Sequence, residues 1–177
     1  MFTLIDVLQN EHRTMRDLLG VMEEQVAKPG EPDYDLIKEI LYYCESYPDI
    51  YHHPKEDLIY RVVCEQAPEA AAGIEDLEAE HMIMASAAQE IRNLVAAATE
   101  GDQDADAIVG EKVGAYLNFY RTHMQREEQE VFPVAQEVLS ETDWLALETQ
   151  VVNPTDPYHA EKAAARLREM LEKSLAA

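Results

Sequence analysis

The sequence predicts an all-α chain, folded as an antiparallel up-and-down four-helix bundle with a C-terminal helical extension. Three observations predict it. Ala, Leu, Glu and Met dominate, and no useful length alternates apolar with polar residues as a strand would. Four long segments are joined by short connections rich in Pro, Gly and Asp, which favours antiparallel neighbours. Histidines recur at helical spacing among apolar residues, on faces that must point inward.

Each element follows from its local signals. A first helix is expected over about residues 3–27, with Ile5, Leu8, His12, Met15 and Leu19 on one face. The stretch KPGEP ends it through Pro29, Gly30 and Pro32. A second helical segment spans about residues 33–65 and is bent or interrupted near Pro48 and Pro54. Pro68 opens a third, which runs to about Thr99, and EGDQDAD is the next turn. A fourth runs from about Ala105 to Leu139, with Pro133 straining its end. Beyond it SETDWLALETQVV reads as a short helix capped by Ser140, with Asp143 at its third position. NPTDP is a loop, and residues 160–177 form a last charged amphipathic helix. The expected organisation is a bundle over residues 1–139 and a helical appendage over 140–177, which could also serve as a dimer surface; the chain is expected to be a monomer or a homodimer.

Composition narrows the function. A chain of 177 residues that is 47% apolar can bury a sizeable core, so disorder is excluded. With 36 acids against 14 bases the formal charge is −22, which repels phosphate backbones and anionic head groups. Nucleic acid and membrane surfaces are therefore not expected partners. Cys44 and Cys64 are too few and too far apart for a disulfide framework and read as small buried hydrophobes in a reducing compartment. The first residues lack the basic region of a signal peptide, and no apolar run reaches membrane-span length. The expected location is the cytoplasm.

The histidines carry the chemistry. Residues 11–12 and 80–81 both read Glu-His, and about forty residues after each comes a His with a Glu four residues on, His52 with Glu56 and His123 with Glu127. Residues i and i+4 share a helix face, so each pair can point at one spot. His12 lies in line with Leu8 and Met15, His81 with Leu77 and Met84, and His123 with Tyr116, Phe119 and Tyr120. Four imidazoles and two carboxylates thus converge on the bundle axis. Burying such groups uncompensated costs several kcal/mol, against a whole-domain stability of only ~5–15 kcal/mol. Divalent metal neutralises and ligates them together, and paired H-x-x-x-E segments suit two metals bridged by carboxylates. No thiolate belongs to the pattern, which disfavours structural zinc, and nitrogen-rich sites with bridging carboxylates suit iron. Two octahedral irons sharing a bridging oxygen, two carboxylates and four imidazoles keep at least one open position each. That invites dioxygen, nitric oxide or peroxide.

Four stretches in order, NEHRTMRDLL, YHHPKEDLIY, EAEHMIM and HMQREEQEVFP, make the sequence resemble the hemerythrin-like (HHE cation-binding) family over roughly residues 1–139. The resemblance implies a non-haem di-iron centre, its two Fe ions joined by an oxo or hydroxo bridge and ligated by His12, His52, Glu56, His81, His123 and Glu127. It further implies a sensor, scavenger or weak peroxidase for a small gaseous or peroxide ligand, with an iron-sensing or iron-storage module as the alternative. The match is to the bacterial type with four His and two Glu: Leu77 and Ala85 stand where the oxygen carriers' third helix would offer a second histidine, and H-x-x-x-E replaces their H-x-x-x-x-D.

Around these residues several roles stay open. Pro54 fits the first turn of a restarting helix, and His53 is expected to face solvent or to sit just outside the ligands, a fifth nitrogen ligand being the other outcome. Lys55 and Asp57 are expected on the outer face. Glu11 and Glu80 are expected outside as well, unless they accept from a ligand N–H. Glu128 and Glu130 replace Glu127 if the fourth helix is overwound. Tyr43, Tyr47, Tyr51, Tyr60, Tyr116 and Tyr120 read as core aromatics, with Tyr60 and Tyr120 best placed to reach the metal, and His159 reads as a loop residue.

Overall fold

Helical periodicity and caps translate directly into the observed elements. The computed structural model describes residues 4–30, 32–69 and 74–151, together with positions 165, 169 and 172. Helix α1 spans Leu4–Ala27, α2 Tyr34–Tyr47, α3 His53–Gln66, α4 Ile74–Thr99, α5 Gln103–Arg126, α6 Phe132–Val138 and α7 Glu141–Gln150. The expected last helix and His159 fall almost wholly or entirely outside the described residues. No strand occurs among the described residues.

The two hairpins are built alike. Gly30 (φ 103°) follows α1 and Gly101 (φ 98°) follows α4, each in the left-handed region where a Cβ would be strained. The Asp33 carboxylate then accepts from the Leu36 amide at 3.0 Å to start α2. Asp102 accepts from the amides of Asp104 and Ala105 to start α5. This cap, which the sequence reading placed inside a turn, moves the start of α5 forward to Gln103. Pro68 sits in a turn, and the third segment is described as helix from Ile74. Ser140 and Asp143 form the expected reciprocal cap of α7.

The expected bends in the second and fourth segments are wide helical turns. Pro48–His52 joins α2 to α3 and Glu127–Val131 joins α5 to α6, each as one π-helical turn. The His53 amide donates to the Pro48 carbonyl, and the Phe132 amide to the Glu127 carbonyl. A proline follows each turn at the same distance, Pro54 and Pro133. Its ring collides with the carbonyl four residues back and it offers no N–H, so the preceding turn opens by one residue.

Four rods close a square: α1 packs on α2 and α5, and α4 on α2 and α5. Two apolar clusters fill it. One holds Met15, Leu19, Met22, Leu36, Ile37, Ile40, Met84, Val113 and Tyr120. The other holds Leu8, Ile59, Val63, Leu77, Val131 and Phe132, with Leu147 of α7. His12 lies between Leu8 and Met15, and His81 between Leu77 and Met84, so a polar layer is held between two dry ones.

The wide turn before α3 sets which side of that helix faces the axis. Pro54→Ala restores an N–H and removes the clash, and is expected to let the turn tighten by one residue. Glu56 and Tyr60 would then swing about 100° off the axis, and metal bound per chain should fall. Metal content equal to the parent's would show that the site, and not the proline, holds the turn open.

Candidate metal centre

Each side chain of the polar layer is carried on a rigid helix. His12 comes from α1, His81 from α4 and His123 from α5, while His52 and Glu127 lie at the edges of the two wide turns and Glu56 on the first turn of α3. His12, Glu56 and Glu127 have no accessible surface, His52 and His123 are 2% exposed, and His81 is 7%. The six expected residues do converge. His52 Nε2 lies 2.9 Å from Glu56 Oε1, and His12 Nε2 lies 3.4 Å from the same oxygen. His123 Nε2 lies 3.2 Å from Glu127 Oε1 and 3.2 Å from His81 Nε2.

The carboxylates span two clusters. Glu56 turns Oε1 toward His12 and His52 and Oε2 toward His81, 3.6 Å away. Glu127 turns Oε1 toward His81 and His123 and Oε2 toward His12, 3.3 Å away. One oxygen per cluster is the arrangement of a bridging carboxylate. The shortest separation, 2.9 Å, equals the edge of a coordination polyhedron with bonds of about 2.0–2.2 Å at right angles, and the others are wider. Three buried ligand groups result: His12, His52 and Glu56; His53, Glu56 and His81; His81, His123 and Glu127.

The electrostatics call for a cation. His12 Nε2, both oxygens of Glu56 and Glu127 Oε2 are buried without a hydrogen-bond partner. Buried polar groups are almost always satisfied, and four such atoms aimed at one volume mark the place of an ion. The donor set of imidazole nitrogen and carboxylate oxygen fits iron, and the residues present fit the metal.

A second ring of contacts fixes the imidazoles. The Nδ1–H of His52 donates to Glu11 at 2.8 Å, that of His123 to Glu80 at 2.9 Å, and that of His12 to Glu128 at 3.0 Å. Each acceptor is held by a base: Lys55 on Glu11, Arg126 on Glu80 at 2.5 Å, Arg16 on Glu128 at 2.7 Å. The bonds commit Nδ1 and leave each Nε2 facing the axis.

The same repeat extends to a domain-scale match. The hemerythrin HHE cation-binding domain matches residues 3–135. The chain belongs to that family. No curated protein and no solved structure gives a match. Within this hemerythrin-like chain, no helix among the described residues is long and apolar enough to cross a membrane.

Several outer residues take roles the sequence reading had left open or placed elsewhere. His53 does not face solvent: it is 8% exposed and stacks on His81 at 3.7 Å and 6°. Its Nδ1–H donates to Asp49 at 3.2 Å, and burial keeps the ring neutral, so its other nitrogen is free to ligate. The wide turn ending at His52 is what buries two consecutive histidines. Lys55 is buried on Glu11 and not on the outer face. Glu11 and Glu80 take the acceptor role, and Glu128 serves His12 in place of ligating. Glu130 stays outside near Arg126 at 3.8 Å. Tyr60 donates to Glu127, and Tyr120 donates to the Met15 sulfur at 2.9 Å. The bases on the acceptors went unread, although the signal was available: a base precedes and an acid follows both Glu56 and Glu127.

The pH behaviour of the metal-free chain follows from two shifts. Burial opposes a charged His12, but its bonds to Glu127 and Glu56 outweigh this and push its pKa from 6.5 up to about 10. Its stabilisation is complete below 6.5 and lost as pH rises through about 10. Burial likewise opposes a charged Glu56, and repulsion from Glu127 adds to it, yet His52 and His12 draw it from 4.5 down to about 2. That stabilisation is complete above 4.5 and lost as pH falls through about 2. Melting temperature of the metal-free protein should therefore peak between pH 4.5 and 6.5 and decline toward pH 10. Metal must displace the His12 proton, so uptake should tighten with rising pH and release protons. Titration calorimetry in buffers of different ionisation enthalpy checks this; pH-independent uptake would remove His12 from the ligands.

Proposed function

We propose that this chain holds a pair of iron ions, bridged by Glu56, Glu127 and one oxo or hydroxo oxygen, and that the pair binds a small gaseous or peroxide ligand. The supporting observation is the pair of carboxylates, each offering one oxygen to either cluster, with both oxygens of Glu56 and Oε2 of Glu127 buried without a hydrogen-bond partner. His12 and His52 would hold one ion. His81 and His123 would hold the other, with His53 as an added nitrogen. Bound iron supplies one- and two-electron exchange with a ligand that reaches an open position.

The chain's own residues shape what can happen there. Every ligand residue is at most 8% exposed, so only a small molecule enters. Ile59, Met84 and Phe132 exclude bulk water, and Phe132 stacks on His12 at 5.8 Å and 15°. Burial and the neighbouring Glu56 and Glu127 hold the Tyr60 phenol far above its ordinary value, so it keeps its proton and donates it to Glu127. The function this favours is a scavenger, sensor or weak peroxidase. The closure of the site also suits a second reading, an iron-reporting module without turnover.

Iron analysis after anaerobic reconstitution should give about two ions per chain. A value near one, or zinc held as tightly, would sink the paired assignment. Chelation should lower the melting temperature sharply, because metal binds only the folded state. Catalytic consumption of hydrogen peroxide by the iron-loaded chain, lost in His81→Ala, separates turnover from iron reporting. Glu127→Ala should lose the second iron more completely than Glu56→Ala, since Asp57 stands beside Glu56 as a substitute; equal or reversed losses refute that ranking.

A further inference from the structure

Between α1 and α2 lies a cleft of about 430 Å³, lined by Asp6, Asn10, Glu11, Thr14, Tyr43 and Tyr47 among others. It reaches the polar layer through Glu11. The Tyr47 hydroxyl donates to Glu11 Oε1 at 3.0 Å, and Glu11 Oε2 accepts from His52 Nδ1 at 2.8 Å. The other nitrogen of His52 lies 2.9 Å from Glu56. Two hydrogen bonds and one close contact therefore join a surface cleft to a carboxylate of the metal centre.

Among the tyrosines near the layer, Tyr47 is suited to give up an electron. A phenol loses an electron readily only if its proton has an acceptor. Tyr120 faces a sulfur, and the Tyr116 hydroxyl is buried without a partner. Tyr60 has a carboxylate but is 2% exposed. Tyr47 has a carboxylate and a half-buried ring at the cleft. Tyr43 stacks on it at 5.1 Å and 6°, presenting an aromatic wall. Asp6 and a chain charge of −22 disfavour anionic reductants, and the tyrosine wall suits a neutral aromatic one.

We infer that this cleft is where electrons enter the centre: a small neutral phenol packs on Tyr43 and Tyr47, and Tyr47, Glu11 and His52 pass its electron inward. This rests on the redox reading above. One peroxide molecule takes two electrons and two protons and leaves as two waters. Each electron is drawn from the Tyr47 phenol as its proton moves along the hydrogen bond to Glu11. The phenol in the cleft returns one electron to Tyr47, the proton comes back from Glu11, and the reductant sheds its own proton to solvent and leaves as a phenoxyl radical. Two phenols are oxidised per peroxide, and solvent supplies the protons for water.

The test mixes the iron-loaded full chain with hydrogen peroxide and a nitroso spin trap, then maps adducts by peptide mass. The expected result is an adduct on Tyr47, absent from the iron-free chain and from Tyr47→Phe at parental iron content. Added 4-methoxyphenol should suppress the adduct. Thr14→Trp, which fills the cleft and touches no ligand, should raise the half-suppressing concentration about tenfold while still forming the adduct. Peroxide consumed with adducts on other tyrosines only, or suppression unchanged in Thr14→Trp, overturns the route alone. Peroxide left unconsumed overturns the route and the redox reading together.

Discussion

Two carboxylates stand at the dry centre of the bundle, and the rest of the structure depends on neutralising them. Glu56 and Glu127 have no solvent contact, and neither forms an ion pair with a Lys or Arg among the described residues. An unpaired buried charge costs several kcal/mol, comparable with the stability of the whole domain. The histidines meet them from all four rods, and protons or metal ions complete the balance. Without metal, His12, His52 and His123 bind protons more firmly than usual, so the layer carries its own provisional cations.

Around that layer the chain repeats one device. The acid that precedes the lone histidine of one helix holds the histidine of the next: Glu11 holds His52 and Glu80 holds His123. Lys55 and Arg126, at matching places, hold those acids in turn. Glu128 extends the pattern to His12. The fourth corner breaks it. Asp57 matches Glu128 in sequence, yet its Oδ1 is buried without a hydrogen bond, and His81 instead stacks on His53. The two halves are thus alike in their inward His and Glu residues and unlike in support.

The apolar clusters on either side enclose the centre. They exclude bulk water and bar large molecules, so size selects what arrives. Contact with the outside then runs through hydrogen bonds along the ring of acids, of which Glu11 opens on the α1–α2 cleft.

The helical fold, the paired hairpins and the convergence of His12, His52, Glu56, His81, His123 and Glu127 were legible in the sequence, because helix periodicity is local and fixes which residues share a face. Ser140 with Asp143 was legible for the same reason. What the tertiary structure decided is everything that depends on angle across helices. A proline predicts a disturbance, but only the folded chain shows that it opens the preceding turn by one residue and so turns His53 inward and buries Lys55. The pairing of Glu11 with His52, and of Tyr47 with Glu11, joins residues on separate rods whose relative rotation no local pattern specifies. Sequence spacing sets which face a side chain takes; the packing of four rods around two buried charges sets what it meets there.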